Sequence, residues 1–194
     1  SETSPSFRVP RLLTALVGGL VLASAFSFAL TPLRTSQDEW WHLKAGRWIV
    51  EHRALPAHDI FTYAGADFRW YNHEWLSQVI FYLVYALGAG GDPGPLGEVG
   101  GVQALVTFKA LIVTVTFALL AWLCRLRGAS WPAALFVALI AADISRRTIY
   151  PRPPVFSYLL FTLFLIAFTL WKTGRLRGRW LWLLVPATGI WSNL

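Results

Sequence analysis

The chain has 194 residues, of which 56% are apolar and only 14% charged, against about 25% charged in an ordinary soluble domain. That balance argues against a water-soluble fold. The net charge of +7 does not point to nucleic acid, because the basic residues sit mostly beside apolar runs, where they act as orientation signals. The single cysteine, Cys124 beside Arg125, excludes a disulfide framework or a multi-thiolate metal site within one chain.

In chain order, the first apolar run covers residues 11–31 behind Arg8 and Arg11. A secretory signal has an apolar core of about 7 to 15 residues. This run continues through Phe26, Phe28 and Leu30 before Thr31-Pro32 stops it, so it reads as an uncleaved first transmembrane helix. Further runs at about 102–124, 131–146, 154–171 and 180–194 approach or reach the roughly 17 to 25 residues that cross a bilayer. The expected fold is an all-α integral membrane protein: a single membrane domain over residues 1–194, with four spans, an incomplete fifth and a large polar loop over 32–101. Trp191-Ser192-Asn193-Leu194 supplies neither a basic stop signal nor a polar tail, so the chain is expected to be the N-terminal part of a longer protein.

Orientation follows from three basic clusters: Arg8 with Arg11, Arg125 with Arg127, and Lys172 with Arg175, Arg177 and Arg179. All three lie on the cytoplasmic side only if residues 75–90 do not cross. Trp75 to Leu87 is short, carries Gln78 and follows His73-Glu74, which suits an interfacial helix. The N-terminus is then cytoplasmic and the 32–101 loop external. Within that loop Ser36 can cap a helix opening on Asp38 and Glu39 and running to about His52, and Leu55-Pro56 ends it. A second amphipathic helix begins near His73, and the glycine- and proline-rich Gly88 to Gly101 reads as a flexible turn. Among the eleven tryptophans, Trp122, Trp131, Trp171 and Trp180 flank membrane runs as anchors. Trp40, Trp41, Trp70 and Trp75 are placed to meet a sugar ring.

Eight of the ten acidic residues fall between Asp38 and Glu98. Asp38-Glu39, just outside the first span, stands where a carboxylate can meet a membrane-held and a water-borne substrate together, as a general base or a cation ligand. The competing reading is that both acids only stabilise the first turn of a helix. Arg146, Arg147 and Arg152 lie on the side opposite the basic clusters, against the orientation rule. A planar guanidinium suits phosphate oxygens there, or else the three merely touch lipid headgroups. His42, His52, His58 and His73 have no metal-site spacing and no HExxH pattern.

The first span followed by Asp38-Glu39 and an aromatic-rich interfacial helix resembles the GT-C membrane glycosyltransferases, in particular their protein mannosyltransferase and aminoarabinose transferase branch. His73-Glu74-Trp75-Leu76 sits where that branch has His-Pro-Pro, without the prolines. The run Asp38-Glu39-Trp40-Trp41-His42-Leu43, with Gly46-Arg47-Trp48-Ile49, is similar to a bacterial group of such proteins. The resemblance implies transfer of a sugar from a polyprenyl-phosphate donor to an acceptor on the external face of the bacterial inner membrane. In that reading Asp38 is the base and Glu39 orients the acceptor or the helix. Arg146, Arg147 and Arg152 hold the donor phosphate, and Trp41, His42, His73 and Glu74 line the substrate loop. No particular cofactor is implied, and a divalent cation at the acid pair stays open. The partners are membrane lipids and the lipid-linked sugar, with no nucleic acid. The alternative is a non-catalytic scaffold or accessory subunit packed against other membrane subunits. A transporter is disfavoured, since the spans hold few acids beyond Asp143 and no paired broken helices.

Overall fold

The computed structural model describes residues 11–30, 38–62, 69–91, 95–146 and 149–194. Ser36, Arg8 and Arg147 therefore lie outside the described residues. Among the described residues, seven α-helices and one 3-10 helix make up the fold: α1 Arg11–Ala29, α2 Asp38–His52, α3 Trp75–Ala89, α4 Pro95–Leu126, α5 Trp131–Ser145, α6 Pro154–Lys172, the 3-10 helix Gly178–Leu183, and α7 Leu184–Trp191. No strand occurs among the described residues, only an isolated bridge between His58 and Arg69.

Three helices, spanning Leu12–Ala29, Gly97–Leu126 and Pro154–Lys172, are long and apolar enough to cross a membrane. Their outward faces are apolar too: Leu12, Leu16, Leu20 and Phe161 are exposed, a surface that water would not tolerate over such an area. In chain order α1, α4, α5 and α6 alternate in direction. Val21 of α1 clusters with Ala121 of α4 and Leu135 of α5, while Ala25 and Ala29 cluster with Ala110, Val113 and Ala142. Hence α1 and α5 run parallel, both antiparallel to α4. Leu105 and Ile112 of α4 meet Val155 and Phe156 at the start of α6, and Thr116 and Leu120 border one cleft with Tyr158 and Thr162 further along it, so α6 runs parallel to α4. One end of the bundle therefore carries Ala29, Ser145 and Arg152. The other carries Arg11, Arg125 and Lys172.

The lengths differ from the sequence expectation at two elements. Helix α4 begins at Pro95, not near 102, and its 32 residues span about 48 Å, well beyond a hydrocarbon core of about 30 Å. The expected flexible turn over Gly88 to Gly101 is thus partly helix. Its glycines serve packing: a Cβ on Gly88 would collide with Gly100 and Ala104, and one on Gly101 would run into the Tyr85 ring. They let α3 lie against the first turns of α4. The run over 180–194 is not one helix but a 3-10 segment followed by the eight-residue α7. Pro186 has no N–H to give the carbonyl four residues back, so it is accommodated in the first turn of α7, and the regular helix starts only two residues before it, at Leu184. Helix α5, with 15 residues, rises about 22 Å between the two ends.

Helices α2 and α3 form a layer beside the start of α4. Among the helices, α2 packs on α3 and α3 in turn on α4. The crossing of α2 and α3 is set at Gly46, where an added Cβ would strike the Gln78 carbonyl oxygen. Gly46→Ala raises helix propensity but forces the two helices apart. We expect a net loss of about 1 to 3 kcal/mol, read as a lower unfolding temperature in detergent. Unchanged stability would mean the crossing is not set at this contact.

Candidate functional site

Where chain segments converge at the Ala29–Arg152 end, a cavity of about 580 Å³ opens. Asp38, Trp41 and His42 of α2 line it together with Glu74, Arg152 and the Pro153-Pro154 turn. Five of the residues singled out from the sequence thus meet in one place although they come from three separate segments. Asp38 is the first residue of α2, Glu74 is the N-cap of α3, and Pro153 is the N-cap of α6. Three helix N-termini therefore border one cavity.

Those ends matter for the charge balance. Among the described residues, the side chains lining the cavity bring one guanidinium against two carboxylates. Each helix N-terminus adds the equivalent of roughly half a positive charge, and three of them outweigh the excess carboxylate. Backbone N–H groups at such ends can bind an anion, but the Leu76 N–H is given to the Asn193 carbonyl oxygen at 2.9 Å. Pro153 and Pro154 have no N–H, and Val155 and Phe156 donate theirs to the Arg152 and Pro153 carbonyl oxygens, both at 3.1 Å, so the ends of α3 and α6 act here chiefly through their dipoles. Asp38 and Arg152 form an ion pair across the cavity mouth, and both side chains remain partly exposed. The closest approach is from Nη2 to the carboxylate Oδ2, and a guanidinium has five N–H donors, more than a single carboxylate takes up.

The adjacent acids separate. Consecutive residues on a helix point about 100° apart, and Glu39 turns inward: it is 2% exposed and does not line the cavity. Its carboxylate acts electrostatically on Lys109, itself 1% exposed on α4. Lys109 lies 17 residues before the end of α4, about 25 Å along the helix, and so near the cavity end of the bundle. Two neighbouring carboxylates thereby tie the start of α2 in two directions, to the segment before α6 and to α4.

His42 is 6% exposed and lines the cavity, and its Nδ1 has no hydrogen-bond partner among the described residues. Burial pushes its pKa below the ordinary 6.5, with Glu74 and then Glu39 acting in the opposite direction. His73 is exposed, 3.9 Å from the Glu74 carboxylate, and does not line the cavity. Arg146 is drawn elsewhere, 3.3 Å from Asp143 and over the Phe28 ring. Among the described residues no group of three or more histidine, cysteine, aspartate or glutamate side chains is gathered for a metal ion. The cavity offers only the two carboxylates Asp38 and Glu74 for a cation.

A smaller cleft of about 290 Å³ adjoins on the other side of Trp41, walled by Phe61, Trp70, Asp59, Thr62 and Arg69. Its rings pack on one another, Trp41 to Trp70 at 5.2 Å and Trp41 to Phe61 at 5.6 Å. Asp59 accepts from the Phe61 N–H at 2.8 Å and from Thr62, which holds its pKa below the usual carboxylate range, chiefly through the Thr62 hydroxyl. The end of the chain returns to this same end of the bundle. Trp75 Nε1 donates to Asn193 Oδ1 and Trp191 Nε1 to Ser157 Oγ, at 2.7 and 2.8 Å. Sequence reasoning missed Asn193 as a support of α3; a polar residue after an apolar run was its one signal. Comparison of the chain with protein-family models, with curated proteins and with solved structures finds no match.

Proposed function

We propose that this chain is a multi-pass membrane glycosyltransferase of the GT-C type, moving a sugar from a polyprenyl-phosphate donor to an acceptor hydroxyl on the external side of the bacterial inner membrane. The observation that carries the reading is the cavity where three helix N-termini and Arg152 converge at one end of apolar, membrane-length helices. An anion tethered to a lipid chain needs that combination: positive potential at the bilayer surface beside an apolar face. The opposite end carries Arg125, Arg127, Lys172, Arg175, Arg177 and Arg179. By the orientation rule it is cytoplasmic, which turns the cavity outward.

In this reading Arg152 binds the donor phosphate through the N–H groups not given to Asp38, and stabilises the charge that grows as the sugar leaves. Asp38 orients the guanidinium. Glu39, paired in charge with Lys109, fixes the start of α2 and does not touch substrate. Trp41 offers a ring face to the sugar.

Orientation is tested with single cysteines in a Cys124→Ser background. A cysteine at exposed Tyr71 is expected to react with an impermeant maleimide in intact cells, and one at Arg177 only after the membrane is opened. The reverse pattern would invert the topology and remove the external site. The chemistry is tested by following release of undecaprenyl phosphate from undecaprenyl-phosphate-linked mannose, glucose and aminoarabinose in proteoliposomes of the complete protein supplied with a bacterial membrane extract as the source of acceptor hydroxyls. Release is expected with one of these, and a complete lack of it counts against the transferase.

A further inference from the structure

We infer that His42 is the general base of this cavity, taking the proton of the acceptor hydroxyl while Asp38 serves to hold Arg152. The inference rests on the transferase reading and changes which residue does the proton chemistry. It starts from the state of the three basic groups that line the cavity. The Asp38 carboxylate is engaged by the Arg152 guanidinium, and a carboxylate so held is a poorer place for a proton. Glu74 is part-exposed with His73 beside it. The His42 imidazole is more than nine-tenths buried, with a ring nitrogen that no described group satisfies. Leaving such a polar atom without a partner is costly; Nδ1 itself is closed off inside the wall, so an acceptor hydroxyl meets the imidazole at the part of the ring that lines the cavity.

The surroundings fit a base. On its own helix His42 faces Asp38 and Glu39. From the start of α3 it faces Glu74, with His73 on the outer side of that carboxylate. Across the cavity stands Arg152, and from α4 Lys109 acts on Glu39. Burial keeps the imidazole neutral at pH 7, the form that accepts a proton, while Glu74 and Glu39 stabilise the imidazolium once it forms. Trp41 stands edge-on to the ring at 5.2 Å and 77°, limiting its reorientation.

The step balances as follows. The acceptor oxygen bonds to the anomeric carbon as its proton passes to a ring nitrogen of His42. The bond from the anomeric carbon to the phosphate oxygen breaks, and its electron pair goes to the phosphate beside Arg152. The imidazolium then returns its proton to water.

The test compares His42→Asn, Asp38→Asn and Glu74→Gln in the complete protein, with the three undecaprenyl-phosphate-linked sugars as donors. His42→Asn is expected to lower kcat by about 10² to 10⁴-fold and to abolish the acidic limb of the pH–rate profile. Asp38→Asn is expected to keep that limb, to lower kcat by less than about tenfold and to raise the donor KM, as removal of an orienting group should. The reverse assignment, with the large loss and the missing limb in Asp38→Asn, overturns the inference. A wild type that releases nothing from any donor defeats the transferase reading itself, and the base role with it. Active wild type with His42→Asn within about tenfold defeats the base role alone. A second measurement is independent of turnover. The chain has four histidines, so the ¹⁵N resonance lost in His42→Asn identifies this one. Its titration midpoint should fall below 6.5, and lower still in Glu74→Gln. A midpoint at or above 6.5 contradicts the inference.

Discussion

Lys109→Met is expected to destabilise the protein by about 3 to 5 kcal/mol, the typical cost of removing one partner from a buried charge pair. Lys109 and Glu39 are the two most deeply buried charged side chains among the described residues, at 1% and 2% exposure, and the carboxylate acts on the ammonium. Methionine fills much the same volume as the lysine stem but leaves the Glu39 charge without that compensation inside the layer of α2, α3 and α4. The double variant Lys109→Met with Glu39→Gln should recover most of the loss, because a neutral amide replaces the stranded charge and the apolar side chain costs nothing to bury. Unfolding in detergent by denaturant or heat measures both. A Lys109→Met protein as stable as the wild type would show that the pair is not held in the interior. Since α2 carries Asp38 and His42, the single variant should also loosen the cavity, and a lowered unfolding temperature should accompany any loss of turnover.

Arg152→Ala should weaken binding of undecaprenyl phosphate by roughly 10- to 100-fold, in keeping with about 1.5 to 3 kcal/mol for a hydrogen bond to a charged group. It should also slow transfer, because the same contact strengthens as charge develops on the leaving phosphate. Arg152→Lys keeps the charge but not the planar fork that serves Asp38 and a phosphate together, and it should fall between the two. Native mass spectrometry of the complete protein with added undecaprenyl phosphate reads the affinity. Arg146→Ala provides the contrast. Its guanidinium is turned to Asp143 and Phe28, so its removal should leave lipid-phosphate binding within about twofold.

Much of the bundle was legible because α1, α4 and α6 are long apolar runs with little to interrupt them. The start of α4 was not. Glycine and proline between Gly88 and Gly101 carry the composition of a turn, yet Gly88, Gly100 and Gly101 are there for the close approach of α3 to α4, and a proline at the first position of a helix is well tolerated. Composition cannot separate a glycine that bends the chain from one that lets two helices touch. The helix start just before Pro186, at Leu184, was open to inspection, but a run of apolar residues hides it from any count of hydropathy. The candidate site was legible by residue type and not by pairing. Asp38, Trp41, His42, Glu74 and Arg152 stood out singly. That Arg152 meets Asp38 depends on α2 and α6 placing their N-termini at one point, which no local pattern encodes. The different fates of Asp38 and Glu39 follow from the 100° step between neighbours on a helix. Lys109 as the destination of Glu39 required the packing of α3 between α2 and α4.

The central claim is that the phosphate of a polyprenyl lipid sits in the cavity between Asp38, His42 and Arg152. A diazirine placed near the phosphate of an undecaprenyl phosphate analogue, photolysed on the complete protein in proteoliposomes and mapped by mass spectrometry, tests it most directly. The account predicts cross-links concentrated on residues 38–42, 74 and 150–156, displaced by unlabelled undecaprenyl phosphate and lost in Arg152→Ala. Cross-links confined to the Arg125–Arg127 and Lys172–Arg179 end of the bundle, or unchanged by Arg152→Ala, would contradict it.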